Sequence, residues 1–104
     1  MKDTGAERRN FARERTNIDV EVSQDFAKTR GLMEYVSFGG AFISLPKTFK
    51  NDTIIKIKFD VPGEYLPFEG SARVVWTHKD KAIGIQFENL PESEKQKLEK
   101  LLFG

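Results

Sequence analysis

The sequence contains no cysteine and only one histidine, His78, among 104 residues. Without cysteine there can be no disulfide, no thiolate metal site and no thiol nucleophile. One histidine cannot build a histidine-rich metal cluster, so no metal site is expected. No apolar run approaches the ~20 residues that a membrane-spanning helix needs. The first seven residues are polar and lack the apolar centre of a secretion signal, so a cytoplasmic location without membrane insertion is expected. Net charge is almost absent too, with 17 basic against 16 acidic side chains and a total of +1. A nucleic-acid lattice calls for a broad basic face, so no extended nucleic-acid partner is expected. Disordered chains pair low hydrophobicity with high net charge, and the second half of that signature is missing. What the chain does have is nine Phe, two Tyr and one Trp, enough for one small core in one domain.

The apolar residues alternate along most of the chain. Ile18, Val20 and Val22 are separated by acids, which is the period of a half-buried strand. Residues 23–29 are polar and read as a loop or a ragged strand end. Residues 31–37 read as a second strand, broken by Gly39-Gly40, and residues 41–44 as a third, ended by Leu45-Pro46. Ile55, Ile57, Phe59 and Val61 share one face, with Lys56, Lys58 and Asp60 on the other. After the turn signal Pro62-Gly63, the residues Phe68, Gly70, Ala72, Val74 and Trp76 are in phase. The small residues Gly70 and Ala72 suit tight curvature or a close neighbour. Lys79-Asp80 is a hairpin turn, and Ile83, Ile85 and Phe87 form a last strand. On this phase Trp76, Phe42, Phe59 and Phe87 are assigned to the core. Lys47, Lys50, Lys56 and Lys58 read as a solvated face or edge protection.

The C-terminal segment has a different period. Ser93-Glu94-Lys95-Gln96 fits a capping box, with Pro91 at the first helical position as the alternative start. Leu98, Leu101 and Leu102 share a helical face. So short a helix must dock on the body or on a partner. About six short strands and one helix therefore form an all-β domain, a small antiparallel barrel or a sandwich.

Little here supports catalysis. His78 sits beside the charged turn residues 79–81, no Walker-type phosphate loop is present, and the carboxylates are scattered among lysines. No catalytic residue and no cofactor are assigned. Two segments point instead to an anionic ligand. Residues 8–15 hold Arg8, Arg9, Arg13 and Arg15 against one acid, Glu14. Arg9 and Arg13 are spaced to converge on one anion, each with a planar fork that fits a phosphate or a guanine edge. Ser37 ahead of Gly39-Gly40 at a strand break can offer a hydroxyl, bare amides and close backbone approach.

Together these segments resemble the PilZ domain family. Arg9-Asn10-Phe11-Ala12-Arg13 matches its R-x-x-x-R motif. Ser37 and Gly40 match its D/N-x-S-x-x-G motif, with Tyr35 where the family has Asp or Asn. Val74-Val75-Trp76, Gly84-Ile85-Gln86-Phe87 and residues 90–102 resemble its later strands and closing helix. The resemblance covers nearly the whole chain. It implies a six-stranded antiparallel β-barrel over residues 16–104, a C-terminal α-helix at about 91–103, and a flexible N-terminal arginine loop over residues 1–15. It also implies a non-catalytic receptor for the bacterial second messenger cyclic di-GMP. Arg9 and Arg13 would clamp the nucleotide, with Arg8 as an auxiliary contact. Ser37 would supply a hydroxyl and Gly40 close approach. Tyr35 cannot reproduce the short polar contact of Asp or Asn, but its phenol can hydrogen-bond and its ring can stack. With no output domain, signalling would pass to a protein effector, from a monomer or a homodimer. The alternatives are a PilZ-like protein–protein adaptor without nucleotide binding and, behind it, an oligonucleotide-binding barrel.

Overall fold

A computed structural model describes residues 14–47 and 49–103. Six strands, β1 (Glu14–Gln24), β2 (Ala27–Val36), β3 (Gly40–Ser44), β4 (Ile54–Phe59), β5 (Phe68–His78) and β6 (Ala82–Glu88), precede one helix, α1 (Glu92–Phe103). All neighbouring strands are antiparallel. They close into a barrel in the order β1-β2-β3-β6-β5-β4. Closure removes the exposed sheet edges that a small β domain otherwise has to protect.

Alternation places Val20, Val22, Met33, Ile43, Ile55, Ile57, Phe59, Phe68, Val74, Ile83, Ile85 and Phe87 inside the barrel. Phe68 stacks on Phe59 at 4.7 Å and meets Phe87 edge-on at 5.4 Å. Gly70 has close neighbours: a Cβ there would lie 2.6 Å from Leu90 Cδ2 and 2.9 Å from Phe68 Cζ, so those side chains would have to shift. Leu98 is fully buried, and Leu90, Leu101 and Leu102 pack against the core, so α1 covers one end of the barrel.

A buried acid pins that helix. Glu94 accepts the Glu69 N–H at 2.8 Å and pairs with Lys97 at 3.1 Å. Lys97 also donates to the Pro67 carbonyl at 3.0 Å. Burial by itself pushes the Glu94 carboxyl up, but the Glu69 amide, Lys97 and the Ser93 hydroxyl outweigh it and hold the group below its ordinary value.

Several expectations are corrected. Residues 23–29 are a tight hairpin, not a loop: the strands run to Gln24 and from Ala27, and Asp25 takes a left-handed backbone (φ 54) at the turn. The capping box does not form. The Pro91 carbonyl accepts the Glu94 and Lys95 N–H groups at 3.0 and 3.1 Å, which makes Pro91 the N-cap, and Ser93 Oγ donates to Glu94 Oε2 instead. Trp76 is not in the core. A bulge between Val74 and Trp76 turns both Val75 and Trp76 outward, leaving Trp76 45% exposed. Phe42 is also outside the core, with its ring near those of Tyr35 and Trp76.

Candidate functional site

A second bulge, between Met33 and Tyr35 in the β2–β3 pairing, decides which way Tyr35 faces. Met33 and Val36 are both fully buried, so the two residues between them, Glu34 and Tyr35, share the outer face. The Glu34 carboxylate is tied to the Ser44 hydroxyl. Tyr35 then stands opposite Phe42, Phe42 opposite Gly84, and Gly84 opposite Trp76. These residues form one lateral row across β2, β3, β6 and β5. Tyr35 meets Phe42 edge-on at 6.3 Å, Phe42 lies 5.7 Å from Trp76, and His78 lies 6.1 Å from Trp76.

Above this row is an outward-facing groove of about 420 Å³. Tyr35, Phe42, Trp76 and Val75 form its apolar part, and the turn between β2 and β3 supplies Ser37, Gly39 and Gly40. The structure therefore brings together three of the sequence-assigned residues, Tyr35, Ser37 and Gly40. Arg8, Arg9 and Arg13 lie outside the described residues. No charged side chain lines the groove among the described residues. The cation of the neighbouring strand segment, Arg73, is held by Glu88 at 2.7 Å and faces Asp52 at 3.8 Å. The hydrogen bond and charge of Glu88 raise its pKa further.

The β2–β3 turn is fixed by Ser37. Its Oγ accepts the N–H groups of Gly39 and Gly40 at 3.2 and 3.3 Å, while the Ser37 N–H donates to the Gly40 carbonyl at 2.8 Å. The expected bare amides are thus aimed at Ser37 rather than outward. The hydroxyl keeps one long donation, 3.4 Å to the Gly40 carbonyl, which a ligand oxygen can take over. Gly40 is required first by the barrel, because a Cβ there would lie 1.9 Å from the Ile85 carbonyl oxygen. At the tip of the turn Phe38 is half-exposed and packs 5.7 Å from Phe103 of α1.

Sequence reasoning missed Phe42, Trp76 and Gly84 as groove residues. The available signal was the pair Val75-Trp76, two consecutive apolar residues where strict alternation ends.

The fold and groove define a class: a closed six-stranded antiparallel barrel, capped by a helix, with a side groove beside the β2–β3 turn. The sequence model of the PilZ domain matches residues 7–104, and the chain belongs to that family. Solved structures share the fold at low identity. The PilZ domain of CeSA from a cellulose-synthesizing bacterium has 24% identity and a TM-score of 0.71, covering 89% of this chain and 96% of that one. The Bacillus subtilis inhibitor of motility, MotI/DgrA, has 21% identity and a TM-score of 0.75 over 92% of this chain, which spans 49% of the other. The PilZ domain of Escherichia coli YcgR, solved with c-di-GMP, has 14% identity and a TM-score of 0.72, covering 92% and 89%. No curated protein sequence matches this chain.

Proposed function

We propose that this chain is a non-catalytic, cytoplasmic receptor module that binds cyclic di-GMP in the side groove and signals through a protein effector. The segment ahead of β1, up to residue 13, acts as an arginine loop that folds over the nucleotide. Arg9 and Arg13 hold phosphates and guanine edges, with Arg8 as an auxiliary contact. Tyr35, Ser37 and Gly40 face the ligand from the barrel.

The observation that carries this reading is the starting point of β1. Glu14 pairs with Val36, the residue before Ser37, and Arg15 pairs with Tyr35. Covalent geometry keeps the Cα of residue 13 within about 3.8 Å of that of Glu14, and that of residue 9 within about 18 Å. Chain connectivity therefore lets both motif arginines reach the β2–β3 turn. The described residues of the groove supply aromatic surface but no charge, and the N-terminal segment supplies charge. A nucleotide with two bases and two phosphates needs both. Base stacking on aromatic rings contributes about 1–3 kcal/mol per base, enough to offset the polar contact that Tyr35 does not reproduce. The YcgR domain solved with c-di-GMP supports the choice of ligand.

Any switch must arise from different nucleotide affinities of two loop arrangements. The adaptor reading is favoured by one observation, the Tyr35 ring beside Phe42 at the place where the family has a short polar residue. The emission of Trp76, the only tryptophan, separates the two readings, since it lies in the groove. Saturable change on adding cyclic di-GMP supports the receptor. An unchanged spectrum, together with no displacement of a labelled cyclic di-GMP, supports the adaptor.

A further inference from the structure

The up-and-down path of the strands sorts the connections between two ends of the barrel. The β2–β3 turn, the β4–β5 loop and α1 lie at one end. The β1–β2 hairpin, the β3–β4 loop and the β5–β6 hairpin lie at the other.

Charge follows the same division. The helix-free end, residues 25–28, 45–56 and 78–82, carries Lys28, Lys47, Lys50, Lys56, Lys79 and Lys81 against Asp25, Asp52 and Asp80. That is a formal surplus of three positive charges. At the helix end, residues 60–69 and 88–103 hold seven acids and three lysines, a deficit of four. The near-zero net charge thus hides a local basic surplus at the helix-free end; residues 1–15, joined to β1 at the other end, add five basic against three acidic residues there. All six lysines of the basic end are exposed. At the tip of its longest hairpin, Phe26 is fully exposed at 101%, and Ile54 on the adjacent strand is 49% exposed.

The Phe26 ring is the most exposed of the large apolar side chains, ahead of Tyr65 and Leu66 at the helix end, and buries no area in this fold. Set among lysines from three separate loops, it matches a broad anionic layer with an apolar interior. Lysines gain from the surface potential of acidic headgroups, and the ring gains from the boundary between headgroups and acyl chains. We propose that the helix-free end of the barrel docks on anionic membrane lipids at headgroup level, with Phe26 as the inserted tip and Lys28 and Lys56 among the charged contacts. This is adsorption, with no segment crossing the bilayer. It leaves the Tyr35–Trp76 groove on the barrel flank and the acidic helix end facing away from the membrane. The inference is independent of nucleotide binding.

The test is co-sedimentation of the full chain with vesicles of phosphatidylcholine alone or mixed with phosphatidylglycerol. Binding is expected only to the mixed vesicles, and it should weaken steeply with added salt. Phe26→Ser and Lys28→Glu/Lys56→Glu should each lower the partition coefficient by about tenfold. Lys95→Glu, at the helix end, should leave it unchanged, and circular dichroism should show all variants folded. The proposal is overturned by wild-type protein that ignores phosphatidylglycerol vesicles. It is equally overturned by Phe26→Ser binding as well as wild type, or by Lys95→Glu losing as much as the basic-end variants. The last result would mean that charge at any place on the surface suffices.

Discussion

Phe42 and Trp76 lie on strands that are not neighbours, yet their ring centroids are 5.7 Å apart. Gly84 on the intervening β6 stands opposite both and carries no side chain. A Cβ at this position would meet Trp76 Cβ at 3.4 Å. That is ordinary contact, so a methyl fits and a bulkier side chain should crowd the groove floor.

Gly84→Val should lift the Trp76 ring off Phe42. Trp76 emission should shift to longer wavelength, and the barrel should lose about 1–3 kcal/mol from overpacking. Gly84→Ala should be close to neutral in both measurements. Equal emission spectra for wild type and Gly84→Val would refute the account of the aromatic row.

Gly40→Ala should act on the fold whether or not a nucleotide is present. Its added Cβ falls within the radius of the Ile85 carbonyl oxygen, so backbone must move. A loss of about 3 kcal/mol or more in urea denaturation without ligand is expected. A stable variant that had lost only ligand binding would show that Gly40 serves the ligand and not the barrel.

The Glu94 carboxyl titrates below its ordinary value in the folded chain, since the Glu69 amide, Lys97 and Ser93 outweigh its burial. A depressed folded value means that its stabilisation is fully present above the unfolded value and is lost as pH falls through the folded one. Glu94→Gln should therefore be less stable than wild type at neutral pH, by about 1–3 kcal/mol, because Lys97 loses its buried partner. The difference should shrink as the pH is lowered through the acidic range. Parallel denaturation curves at neutral and acidic pH check both statements.

Tyr35→Asn restores the short amide that the family motif has at this position. If the receptor reading holds with the bases stacked on Phe42 and Trp76, it should tighten cyclic di-GMP binding several-fold, in line with about 1 kcal/mol for one polar contact. The barrel itself should change little, since Tyr35 lies on the outer face and its neighbours Met33 and Val36 fill the core.

Much of the fold was legible because alternation is a local signal. Val20, Val22, Ile55, Ile57 and Phe59 are buried as their phase requires. The bulges were not legible, because an extra residue is defined only against a partner strand. Glu34 is extra relative to β3 and Val75 relative to β6, and each shows only once the register of its hairpin is known. Those two residues turn Tyr35 and Trp76 outward, so extrapolating the β5 phase placed Trp76 in the core. The order of the arginine pair, Ser37 and Gly40 was readable as a motif. The open space beside Gly84 was not, since it follows from which residues stand opposite it on β3 and β5. The hairpin at Asp25-Phe26 was hidden by its polar flanks, where turn and strand composition overlap.

Under the proposed function, the groove and the N-terminal arginines together form a cyclic di-GMP site. Calorimetric titration of the full chain with cyclic di-GMP, beside Arg9→Ala/Arg13→Ala, tests it most directly. The account predicts saturable heat for the wild type and none for the double variant, with both melting at the same temperature. No heat from the wild type at high micromolar nucleotide, or equal binding by the two proteins, would contradict it.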